Sequence, residues 1–242
     1  MIVLEPVCWP APPQVGAVST TRLGGGSSGP YAGANLGLHV GDDPVTVEAN
    51  RSLLMRQLGL AVAPTWLNQV HGTAIVNAAV EGGVEADASW SREPGRACVV
   101  MTADCLPLLL CNRQGSWVAA VHAGWRGLQQ GIIEAGIAAY PGEAADLLAW
   151  LGPAIGPAAF EVGGEVRTAF VDALGAVAKT AFMPCGERFM ADLFALARLR
   201  LARAGVTAVY GGSICTFSNA QRYYSYRRDG VTGRQATLIW LR

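Results

Sequence analysis

Short apolar runs of strand type alternate with amphipathic helical patterns along all 242 residues, and no low-complexity linker divides them. That alternation restricts the chain to α/β architectures, because each strand-sized run must bury its apolar face under a helix or a second sheet. The runs at residues 15–21, 65–70, 73–80, 98–102, 108–111 and 116–122 predict strands. Helices are expected over residues 44–58, 129–140, 166–174 and 193–204. Asp43 followed by Pro44 opens the first helix as an N-cap with proline at the first helical position, and Gly59 closes it. Asp192 and Gly205 bracket the last one in the same way. Residues 24–30 and 35–41 are rich in glycine and read as loops outside the core. One domain covering residues 1–242 is the simplest account.

With 51% hydrophobic and 15% charged residues, the chain has material for a large core and is not an intrinsically disordered segment. Eighteen basic side chains balance eighteen acidic ones, which argues against a nucleic-acid platform. An anionic ligand must therefore be met by a local cluster. Asp104, Pro107, Asn112 and Arg113 interrupt the most apolar stretch, so no run approaches the roughly 18 residues of a membrane helix. The first 13 residues carry Glu5 and four prolines and lack the basic start of a secretory signal, so a cytoplasmic location is expected. The six cysteines are expected to be thiols, most of them buried. A monomer is expected, since no apolar helix stripe is obviously left over.

Within the helix over 44–58, Val47, Leu54 and Leu58 form an apolar stripe that Arg51 interrupts. A guanidinium there is a structural ion pair, a snorkelling side chain or the receptor of an anionic ligand, and spacing alone does not choose. Arg198, Arg200 and Arg203 read as the solvated face of the last helix.

Only three histidines exist: His39, His71 and His122. His71 and His122 each close an expected strand next to glycine, and Cys105 lies between them at another strand junction. Ligands favour such positions, because side chains there project past the sheet into the connecting loops. Two imidazoles and one thiolate suit Zn²⁺ with a fourth position left open. The gaps of 34 and 17 residues match no short zinc motif, however, and two core histidines with a buried thiol would look the same. Cys105 also reads as a nucleophile with His71 or His122 as its base. Gly124-Trp125-Arg126-Gly127 precedes a helix and places Arg126 and free backbone N–H groups where an anion can dock. Residues 223–230 gather tyrosines with Arg227 and Arg228, which reads as a packed loop carrying surface arginines.

Taken together, Thr21-Arg22-Leu23-Gly24-Gly25, Asn35-Leu36-Gly37-Leu38-His39-Val40-Gly41-Asp42-Asp43-Pro44, Asn68-Gln69-Val70-His71-Gly72, Ala86-Asp87-Ala88, Thr102-Ala103-Asp104-Cys105-Leu106-Pro107 and Val121-His122-Ala123-Gly124-Trp125-Arg126-Gly127 strongly resemble the bacterial YfiH/YlmD proteins, relatives of the human laccase-domain protein FAMIN. The resemblance runs through nearly the whole chain. It implies a single α/β domain with two mixed β-sheet layers flanked by helices. It also implies a zinc site at His71, Cys105 and His122. The activity it implies is purine nucleoside phosphorylase, acting on adenosine, inosine and S-methyl-5′-thioadenosine, together with adenosine deamination.

On that reading the partners are a purine nucleoside and inorganic phosphate, with no nucleic acid and no membrane. Arg51 is expected to hold phosphate, aided by Arg22 or Arg126. Asn35 and Gln69 are expected to contact ribose or base. Relatives have also been called polyphenol oxidases, yet three histidines are too few for a multicopper array. Copper in the His/Cys/His set remains a substitute for zinc, with slow oxidation as a secondary activity. The other readings are a cysteine hydrolase editing peptidoglycan precursors through Cys105, and a zinc-stabilised binding protein.

Overall fold

Leu106, Leu108 and Leu110 project from one face of a strand into one apolar cluster, while Leu109 and Cys111 project from the other face into a second, and all five are fully buried. A strand covered on both faces must lie between two layers, and its continuous apolar run is the sequence sign of that position. The computed structural model describes residues 1–80 and 82–242. In chain order its elements are β1 (Leu4–Pro6), β2 (Val15–Thr20), α1 (Pro44–Leu58), β3 (Ile75–Asn77), β4 (Ala88–Ser91), β5 (Cys98–Thr102), β6 (Leu106–Asn112) and β7 (Val118–Ala123). There follow α2 (Trp125–Gln130), α3 (Ile132–Ala138), β8 (Leu147–Leu151), β9 (Glu161–Val162), α4 (Gly164–Leu174), β10 (Phe182–Cys185) and β11 (Arg188–Ala191). The chain ends with α5 (Leu193–Arg203), β12 (Ala208–Gly211), α6 (Tyr226–Asp229) and β13 (Gln235–Leu241).

A six-stranded mixed sheet runs in the order β12-β8-β6-β7-β4-β3, and a four-stranded one in the order β1-β2-β13-β5. Between the two sheets lie Val15, Cys98, Val100, Leu109, Val118, Trp150 and Ile239. The outer face of the larger sheet packs on α2 to α5 through residues such as Val121, Leu128, Ile133, Phe170 and Leu196. The outer face of the smaller sheet packs on α1 through Val99, Leu238, Leu36 and Leu54. Helix, sheet, sheet, helix is the layering expected from the resemblance. A third small sheet, β10-β11-β9, is an addition to it.

Several local expectations need correction. Residues 65–70 form no strand: Asn68 makes one isolated bridge to Glu85, and beyond it the Val70 N–H turns to the Asp87 carboxylate. The helix expected over 129–140 starts at Trp125 and is split at Gly131, whose φ of +104° is left-handed and ends α2 before α3 begins. The loop over 35–41 is not outside the core: Asn35, Leu36 and Gly37 are buried. Arg200 is not on a solvated face, since it is buried against Glu134 and the Gln129 carbonyl, where it ties α5 to the break between α2 and α3. Among the cysteines only Cys98 and Cys111 are buried, while Cys8 and Cys185 are exposed and Cys105 and Cys215 intermediate. No helix among the described residues is long and apolar enough to cross a membrane.

Candidate metal centre

β5 belongs to the smaller sheet and β6 to the larger, so residues 103–105 carry the chain from one layer to the other. Cys105 sits at the end of that crossover, immediately before β6. The crossover is held from below by Asp104, whose φ of +91° is unusual for a residue with a side chain. Its carboxylate accepts hydrogen bonds from the Thr216 and Ser225 hydroxyls and from the Arg227 N–H, at 2.7, 3.0 and 2.7 Å. Its carbonyl accepts from the Ile155 N–H, so the turn after β8 and the segment around α6 both lock the Cys105 backbone.

His122 is the penultimate residue of β7, paired across the ladder with Pro107 of β6. His71 comes from a loop and not from a strand end, with a left-handed φ of +61°. One carboxylate organises both histidines. Asp87, fully buried just before β4, accepts from the Val70, His71 and Gly72 N–H groups at 3.2, 2.9 and 2.7 Å. It also lies 2.7 Å from Nδ1 of His122, which leaves Nε2 of that ring as the free ligand atom. Gly124 is required where α2 begins, because a Cβ there would lie 2.5 Å from the His71 ring and 3.1 Å from the Cys105 sulfur.

The three candidate donor atoms of His71, Cys105 and His122 all lie within 4.8 Å of one another. Cys105 Sγ is 3.6 Å from His71 Nε2. Ligand bonds of about 2.3 Å to sulfur and about 2.0 Å to nitrogen at a tetrahedral angle put those atoms about 3.5 Å apart. The donor set therefore fits zinc. Burial alone would raise the Cys105 thiol, but the His122 charge and hydrogen bonds from both histidines outweigh it and bring it to about 6. Burial opposes charge on His122, while the Cys105 thiolate and then Asp87 push it up to about 9. Both shifts favour a thiolate beside an imidazolium, and the thiolate is the form of sulfur that a metal binds.

The other expected site residues are dispersed. Arg51 is buried on α1, lies 4.1 Å above the Trp66 ring, and lines a cavity of about 320 Å³ with His39, Trp66, Asn68 and Met101. Gln69 does not face that cavity as a free amide: it clamps Met101, donating to its carbonyl and accepting from its N–H, both at 2.8 Å. The Asn35 amide is occupied by Gly37, Asp42 and Arg234, and so braces its own loop. Arg22 donates to the Ala220 carbonyl and lies over Tyr224. Arg126 is exposed in the first turn of α2, over Trp125. Three participants carried no role in the sequence reading: Asp87, Asp104 and Arg234. Their partners are distant in the chain, and adjacent alanines or glycines were the only local signal.

The family model described as multi-copper polyphenol oxidoreductase laccase matches residues 16–242. The chain belongs to this family. It is 56% identical over 235 residues to purine nucleoside phosphorylase PA4543 of Pseudomonas aeruginosa, covering 96% of each chain. It is 51% identical over 235 residues to purine nucleoside phosphorylase YfiH of Escherichia coli, again with 96% of each covered. The crystal structure of Neisseria meningitidis protein NMB0706 superposes with a TM-score of 0.94 at 50% identity, covering 99% of this chain and 98% of that one. Despite the copper in the family's description, this laccase-family chain has three histidines, of which two join the cluster.

Proposed function

We propose that this laccase-family chain is a zinc-dependent purine nucleoside phosphorylase acting on adenosine, inosine and S-methyl-5′-thioadenosine, with adenosine deaminase activity. The observation that carries the reading is the convergence of His71, Cys105 and His122 in a chain whose close relatives bear the phosphorylase name. The three residues would hold zinc, which would supply a Lewis acid at the site. Asp87 fixes the ring orientation and tautomer of His122 and shapes the His71 loop.

Phosphorolysis requires a phosphate oxygen to bond to the anomeric carbon as the bond from that carbon to the purine nitrogen breaks. The bonding pair leaves with the purine, the phosphate's proton ends on its ring nitrogen, and ribose 1-phosphate is the other product. Arg51 is assigned to orient that phosphate, since its planar fork matches paired oxygens. Arg22 and Arg126, bound elsewhere or exposed, are weaker candidates, and Asn35 and Gln69 are assigned to shaping the pocket. Deamination needs only water, which replaces the adenine amino group and releases ammonia. Copper competes for the same donors and is assigned at most a secondary oxidase activity. The protein is expected to work as a cytoplasmic monomer.

Incubating zinc-loaded protein with adenosine, with and without inorganic phosphate, tests the reading by chromatography of the products. Adenine and ribose 1-phosphate should appear only with phosphate, and inosine in both samples. Absence of every product sinks the reading. A second reading is favoured by the 3.6 Å approach of the Cys105 thiol to His71: a cysteine hydrolase acting on peptidoglycan precursors. That reading requires a covalent substrate adduct on Cys105 by mass spectrometry and no dependence on phosphate.

A further inference from the structure

The Arg51 side chain is 9% exposed. Nε donates to the Leu36 carbonyl at 2.9 Å, but the two terminal nitrogens are poorly supplied. One reaches the exposed Glu48 at 3.3 Å, and the nearest partner of the other is the Met101 thioether at 3.9 Å. A guanidinium offers five N–H donors in a plane, so this buried cation retains donor capacity where it borders the cavity. His39 lines the same cavity from the short helical turn Leu38–Val40.

That turn is braced and not loose. The Asn35 amide accepts from Gly37 N–H and Arg234 N–H and donates to Gly37 carbonyl and Asp42. Arg234 packs so closely on the turn that a Cβ on Gly37 would lie 2.8 Å from its Cγ. Burial, and then the charges of Arg234, Arg51 and His122, all disfavour a charged His39. Burial disfavours charge on Arg234, and the charges of Cys105 and Asp104 offset that only in part. Arg51 is the charged side chain that lines this cavity, and a buried cation with donors to spare is relieved by an anion.

Resting on the phosphorylase reading, we propose that His39 is a second phosphate-holding residue, donating a ring N–H to an oxygen that the Arg51 fork leaves free. Arg234 adds positive field and holds the turn that presents His39. The substrate anion is thus held by two side chains that line one cavity, one from α1 and one from the Asn35-braced loop.

The test compares zinc-loaded wild type with His39→Ala and His39→Gln, using inorganic phosphate calorimetry alongside steady-state kinetics. Loss of a hydrogen bond to a charged group is expected to raise the phosphate Kd and KM about tenfold or more, leaving nucleoside KM and zinc content unchanged. His39→Gln, which retains an N–H donor, is expected to recover part of the loss, and it decides the matter if His39→Ala fails to fold. Wild-type phosphate affinity in both variants overturns the His39 assignment while leaving the phosphorylase reading intact. A wild-type protein that neither binds phosphate nor uses it to cleave nucleosides overturns both.

Discussion

Asp87 carries more of the site than any residue with a chemical reputation. It has no solvent exposure, and its carboxylate serves three backbone N–H groups and one imidazole. Burial opposes its charge, and the His122 hydrogen bond followed by those from the backbone N–H groups outweighs that penalty and holds it below the usual carboxylate value. Asp87→Asn keeps the size of the side chain but surrenders the charge and one acceptor. It is expected to weaken zinc binding about 10- to 100-fold, measured by competition with a chelating dye. An unchanged zinc affinity would reduce Asp87 to a loop brace. At this scale the sequence was legible in part. Arg51 declared itself by breaking an apolar stripe, His71 and His122 by their scarcity, and Cys105 by lying at a strand junction between them. Asp87 did not, because 35 residues separate it from His122 and nothing local marks a carboxylate as a shared acceptor.

Among the elements, α1 shows how a cap can govern a site. Its buried face presents Val47, Asn50, Arg51 and Leu54. Asn50 accepts from the Gly26 N–H and donates to Ser27 and to the Asn35 carbonyl, so the helix also holds both glycine-rich loops. The helix start is set by Asp43, which accepts from the Val45 and Thr46 N–H groups and the Thr46 hydroxyl. The Thr46 hydroxyl, then its N–H, hold the Asp43 carboxyl below its ordinary value of 3.8. A carboxyl depressed in the folded state contributes stability that is complete above the unfolded value and is lost as pH falls through the lower folded one. The stability advantage of wild type over Asp43→Asn is therefore expected to hold from pH 7 to about 5 and to shrink below about 4. Thermal melts of both proteins across that range check it, and a gap that stays constant would remove the charge from the account. Caps and stripes made this helix readable in advance. The split of α2 from α3 was not, because a periodic pattern runs straight through Gly131, and neither was the burial of Arg200, because it is decided by what α5 packs on.

Across the whole molecule the layers followed from the continuous burial of β5 to β8, and the site followed from where the chain changes layer. Cys105 lies on the crossover between the two sheets, His122 at the end of a strand in the larger sheet, and His71 on a loop shaped by Asp87. A metal gripping all three would tie the His71 loop to the β6–β7 pair, which the ladder already joins. Any ligand that binds only the folded state adds RT ln(1 + [L]/Kd) to stability, about 4 kcal/mol at a thousandfold excess over Kd. Zinc is therefore expected to raise the melting temperature by several degrees, and a chelator to lower it without abolishing the fold, since the core clusters lie in layers of their own. Cys105→Ala should lose the zinc-dependent increment while keeping a metal-free melting temperature close to that of the metal-free wild type. If Cys105→Ala still binds a full equivalent of zinc and gains the same increment, the thiol is not a ligand. The 3.6 Å approach of Cys105 to His71 would then have to be explained by nucleophilic chemistry alone.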